Sequence, residues 1–254
     1  MRLSAYLSVL AEPPLPTLIT VTLLSWGAML HHDHGLGISE HFIASEGNRY
    51  SQIGQELYAI THSTNLLSMM GWSWLVMLVA MMTPLLADPL RHLWVRSLPR
   101  RRWIAIVLFL IGYVAIWMLA GMVLMLSTVL LRIVVGDDKW LVVLGLALAL
   151  AIAWQSSPWK QACLNHCHWT PRLSPFGLAA NWDCLRYGIV NGLWCVGACW
   201  ALMLLPLAAI HAYLPLMAAT SSILVVDRYR PARPARWRVP LVERELEKLS
   251  EMSI

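Results

Sequence analysis

Apolar residues in this chain gather in long unbroken runs: Leu15 to Leu30, Leu66 to Leu86, Ile104 to Leu126, a run ending at Trp154, one from about Ile189 to Leu205, and one from about Ala212 to Val226. A helix needs about 20 apolar residues to cross the hydrocarbon of a bilayer. Backbone groups in lipid can be satisfied only within helices or closed barrels. The runs therefore predict an all-α, polytopic transmembrane bundle of about six spans, at 15–30, 66–86, 104–126, 135–154, 189–205 and 212–226. They form one membrane domain, followed by a basic tail over 227–254. The second, third and fifth runs carry this reading most directly. The fourth is uninterrupted only from Trp140 to Trp154, and the last two are divided by the stretch from Pro206 to Pro215. The first run has no basic segment beyond Arg2 and no small-x-small cleavage site, so it reads as a span rather than a signal peptide.

Composition fits a bilayer as solvent. Of the residues, 58% are apolar and 13% charged, against roughly 45–50% and 25% in a soluble domain. The net charge of +5 does not imply nucleic acid, because the basic residues fall between apolar runs rather than on one face. Their distribution sets orientation instead. Alternate connections place Arg2, the cluster from Arg91 to Arg102, Lys160, Arg172, Arg186 and the cluster from Arg228 to Lys248 on one side, and only Arg49, Arg132 and Lys139 on the other. Positive residues stay in the cytoplasm, so both termini are expected there, in a bacterial inner membrane. The acidic 31–65 segment then faces outward. Trp72, Trp74, Trp94, Trp103, Trp140 and Trp154 bracket the runs as an interfacial aromatic belt. The tail from Asp227 onward reads as a topology signal lying on anionic lipid.

Soft-metal ligands are the main candidates for chemistry. Cys163 with Cys167, and Cys195 with Cys199, share the spacing Cys-x-x-x-Cys. Residues four apart lie on one helical face with Cβ atoms about 5–6 Å apart, so each pair can offer two thiolates to one ion. His166 and His168 enrich the first pair, and thiolate with imidazole suits Cu(I), Zn or Fe–S. Cys184 matches no spacing and reads as packing. Met69, Met70, Met77, Met81 and Met82 line the second run, and Met118, Met122 and Met125 recur on the third. Thioethers also select Cu(I), although Met commonly fills gaps between helices. At the outer end of the first run, His31, His32, Asp33 and His34 form a candidate capture site for an incoming metal. No phosphate loop, nucleophile elbow or zinc-protease motif occurs, so the chain does not read as an enzyme.

Three stretches carry a family resemblance: Ala80-Met81-Met82-Thr83-Pro84, Ser157 to Cys167, and Asn191 to Met203. Together they resemble a bacterial family of uncharacterised, predicted metal-binding integral membrane proteins, over about residues 66 to 230. The resemblance implies a bundle of about six helices with metal ligands among these Met, Cys and His residues. The family pattern on the fifth helix has a His where this chain has Asn191, and the first of two adjacent Cys where it has Ala198. Two candidate ligands are absent for that reason, while Cys195 and Cys199 persist.

The resulting expectation is a membrane protein that handles or delivers a soft transition metal, copper first. Cys163, Cys167, Cys195 and Cys199 would supply thiolates, His166 and His168 imidazoles, and Met81 or Met82 a thioether. A metal-donor or acceptor protein would be its partner. Two other classes stay open on the sequence: a thiol–disulfide redox protein, and an assembly subunit whose Cys are packing. The reducing cytoplasmic side disfavours the redox class.

Overall fold

The computed structural model describes residues 15–31, 64–136, 139–209, 212–230 and 233–237. The helices are α1 (Leu15–His31), α2 (Thr64–Met82), α3 (Ala87–Arg96), α4 (Arg102–Val135), α5 (Trp140–Gln155), α6 (Pro158–His166), α7 (Gly177–Ala208) and α8 (Tyr213–Arg228). Short 3-10 turns at Thr83–Leu86 and Pro99–Arg101 link α2 to α3 and α3 to α4. No strand occurs among the described residues.

Each predicted run falls largely on helix, yet the helices differ in reach. Gly71–Arg96, Pro99–Val135 and Gly177–Ala208 are long and apolar enough to cross a membrane, and α5 with α6 makes a fourth if the bent pair counts as one span. α1 and α8 have 17 and 16 residues, and 16 residues rise about 24 Å against a hydrocarbon thickness of about 30 Å. α7 starts well ahead of the apolar run that marks it. Its opening turns carry Asn181, Asp183 and Arg186, which hydropathy alone passes over. They are held by tertiary bonds instead: the Ser174 amide donates to Asp183 Oδ2 at 2.9 Å, and Arg101 donates to Gly177 O and Asn181 Oδ1.

The centre of the bundle is the contact between α4 and α7. Between helices apolar enough to cross a membrane, apolar faces alone select no partner, and close van der Waals approach through small residues does so. Gly188 and Gly192, one turn apart on α7, face α4. A Cβ on Gly188 would stand 2.1 Å from the Phe109 carbonyl oxygen, and one on Gly112 would stand 2.6 Å from the Leu185 oxygen. Backbone cannot move aside cheaply. Gly188→Ala is therefore expected to destabilise the protein by about 2 kcal/mol or more, read as lost folded yield and lower thermal stability in detergent. Gly145→Ala, where nothing lies within 4 Å of the new Cβ, should leave both unchanged.

Large side chains fill the space beside these glycines. Trp74, Trp117, Tyr113, Phe109, Met77, Met81, Met82, Met203 and Met217 are fully buried. Two sequence expectations change here. Trp74 is not a belt residue: its indole donates to the Trp117 carbonyl at 3.0 Å and lies over Gly121, whose missing side chain makes the room. Nor do the α4 methionines form one line, because Met125 is buried while Met122 is 64% exposed. Trp72 and Trp103 do lie on the outer surface.

A sharp bend between α5 and α6 sets where the first pair of cysteines lies. Ser157 is extended (φ −80°, ψ 146°), as a residue preceding proline prefers, and its hydroxyl accepts from the Lys160 amide at 3.2 Å while Pro158 opens α6. The chain turns by 66°. This folds α6, with its cysteines, against α7. Trp154 seals the corner by donating to the Gly197 carbonyl at 3.0 Å and packing edge-on against Trp200.

Candidate functional site

The Cys163–Cys167 segment, expected in a cytoplasmic connection, is helix α6 and its C-cap, with the Cys167 amide bonded to the Cys163 carbonyl at 3.0 Å. Both cysteines therefore project from one short rigid element. On α7, Cys195 and Cys199 are a turn apart and both buried. Cys195 lies about 27 Å along α7 from Gly177 at 1.5 Å per residue, deeper than a helix beginning at 189 would place it.

Cys167, Cys195 and Cys199 line one small cavity of about 10 Å³, together with Lys160, Leu164, Leu85, Ala198, Leu224, Asp227 and Arg228. That is room for a single water-sized body. The Cys195 and Cys199 thiols interact directly, and Cys167 is an electrostatic neighbour of both. The phenol of Tyr113, buried on α4, donates to Cys195 Sγ at 3.2 Å. Among the described residues, no three His, Cys, Asp or Glu side chains already stand as a group that could hold a metal ion. All five cysteines are free thiols.

The other sequence candidates divide by location. Cys163 is half-buried against α7, with its sulfur 2.8 Å from where a Gly197 Cβ would be. It does not line the cavity. His166 is exposed and stacks on Trp194 with ring centroids 4.4 Å apart. Its Nδ1–H donates to the Ala162 carbonyl at 2.8 Å, which leaves Nε2 as its basic nitrogen. His168, outside the helices, has its pKa lowered by partial burial and then by Arg228. Met81 and Met82 are buried in the core and Cys184 is packed as expected, none of the three lining the thiol cavity. His32, Asp33 and His34, and the side chain of His31, lie outside the described residues.

The sequence reading missed the polar half of the cavity. Lys160 and Asp227 are buried and form an ion pair, with Gln155 Nε2 donating to the same carboxylate oxygen at 3.3 Å. Arg228 is 4% exposed. Asp227 and Arg228 open the basic tail expected to lie on anionic lipid, but they are the last residues of α8, are buried and line the cavity. Their position at the end of an apolar helix was the available signal. The tail itself returns over α6: Asn165 Nδ2 donates to the Arg233 carbonyl at 2.8 Å, and Asn165 Oδ1 accepts from the Arg233 amide at 3.4 Å.

Thiols beside a cation, in a small cavity, form a soft donor set of the kind that favours Cu(I) over harder ions. No curated protein matches the chain, and no solved structure matches it. The family model of PpoB2, described as copper chaperone, matches residues 71–242, well over half of the chain, and the chain belongs to this family.

Proposed function

We propose that the protein is a membrane copper carrier that receives Cu(I) as cargo between α6 and α7 and passes it to an acceptor protein. Cys167 and Cys195 are the ligating thiolates. Tyr113 and Cys199 hold the Cys195 sulfur, and Cys163, half-buried one turn before Cys167, is the next sulfur on the way to the surface. The observation that carries the reading is the meeting of Cys167 with Cys195 and Cys199 around one ion-sized cavity, although 28 residues separate Cys167 from Cys195. Family membership supports copper handling in general.

The protein isolated in detergent under reducing conditions is expected to carry one equivalent of copper per chain. Replacing Cys163, Cys167, Cys195 and Cys199 together by Ser should abolish it. Equal copper in both proteins, by elemental analysis, would remove the cysteines from the function.

In the same proposal the bundle crosses the inner membrane six times with both termini cytoplasmic, supported by the bias of Lys and Arg. A reporter active only outside the cytoplasm should be silent when fused after Ile254 and active when inserted near Gly47. The reverse pattern would place the thiols toward the oxidising side.

A further inference from the structure

Among the described residues, the thiol cavity holds one more buried cation than buried carboxylate. Lys160 and Asp227 neutralise each other, and the second Asp227 oxygen meets Arg230 at 3.6 Å nearer the surface. Arg228 has no such match. Among the described residues no carboxylate stands within ion-pair distance of its guanidinium, and its Nε is buried without a hydrogen-bond partner. Asp88 acts on it only at longer range, whereas Arg228 lines the cavity beside Cys167 and Cys195 and interacts electrostatically with both. An isolated buried charge is costly unless something of opposite sign completes it.

We infer that Arg228 is the counter-charge to the thiolate shell of the bound ion and makes the site prefer a monovalent soft cation to a divalent one. This rests on the reading of Cys167 and Cys195 as Cu(I) ligands. When Cu(I) binds, two Cu–S bonds form, two S–H bonds break, and two protons leave to solvent. Copper stays Cu(I) throughout. The bis-thiolate complex carries a net charge of −1, and the Arg228 guanidinium brings the cavity to neutrality. Zn(II) on the same two thiolates is neutral and leaves the guanidinium uncompensated. Zinc would also seek four ligands. Charge thereby adds to softness as a basis for selection, and the residue that supplies it is outside both Cys motifs.

The test compares Cu(I) and Zn(II) affinities of the full-length protein in detergent, by chelator competition, for wild type, Arg228→Leu, Arg228→Gln and Arg228→Lys. Both neutral variants should lose Cu(I) affinity by about 30-fold, half the energy of a unit-charge contact at about 4 Å and an effective dielectric of about 20, because the single negative charge of the complex is shared by two sulfurs. Their Zn(II) affinity should stay within about threefold of wild type, so the preference shifts by the same factor. Arg228→Lys keeps the charge and should keep the preference. A purely structural role would weaken both ions together, and that result overturns the inference, as does unchanged Cu(I) binding in folded Arg228→Leu. If neither neutral variant folds, a lost Cu(I) preference in Arg228→Lys overturns it and a retained one supports it. Wild type that binds no Cu(I) sinks the carrier reading as well, whereas wild-type binding with no effect at Arg228 sinks the charge argument alone.

Discussion

Serine at Cys167 and serine at Cys195 are each expected to lower Cu(I) affinity by about 100-fold, and the double variant is expected to be scarcely worse than either single one. The magnitude is scaled from structural zinc sites, where about 10–16 kcal/mol of binding is shared over four ligands, or about 3 kcal/mol for each. Non-additivity follows from geometry, because the two sulfurs border one cavity and residues that share one partner do not contribute independently. Additive losses would mean two separate sites. No loss would return both cysteines to packing. Cys184→Ser is the control: that thiol is buried on the same helix but does not border the cavity, so Cu(I) affinity should hold. Each ligating thiol gives up a proton, so affinity should also rise with pH over the range in which the thiols ionise.

The second large effect is on stability. Lys160→Met should destabilise the metal-free protein by about 3–5 kcal/mol, because it leaves the Asp227 carboxylate buried with only Gln155 and the more exposed Arg230 beside it. The pair joins α6 to the end of α8, and its loss should also loosen the cavity wall. Removing both charges, as Lys160→Met with Asp227→Leu, should recover most of the loss, since a buried ion pair replaced by apolar groups of similar volume is often neutral in stability. Unfolding in denaturant, followed by tryptophan fluorescence, would measure all three proteins. A double variant no better than the single one would show that the pair does not act as a unit.

Much of this protein can be read one residue at a time. Apolar runs of this length predict helices, one of the two ways a backbone in hydrocarbon can satisfy its hydrogen bonds, and each run does fall largely on helix. A period of four puts Cys163 with Cys167 and Cys195 with Cys199 on common helical faces. These are local properties, fixed by bonds within a few residues and by partition between water and lipid.

Which helices meet is not local. Among such apolar helices one face resembles another, so pairing is decided by shape: Gly188 admits the Phe109 carbonyl of α4, and Gly121 admits the Trp74 ring. Neither contact leaves a hydropathy signal. The 66° bend then swings α6 onto α7 and brings Cys167 to Cys195, which spacing along the chain could not predict. The same packing turned Trp74 from an expected interfacial residue into core, and drew Asp227 and Arg228 out of a tail expected to lie on anionic lipid into the cavity. Local chemistry along the chain was enough to mark the helices and supply the soft donors. Which thiols share a cavity, and which charges face them, was settled only when the helices packed, because close approach of backbones and the pairing of buried charges depend on residues far apart in the chain.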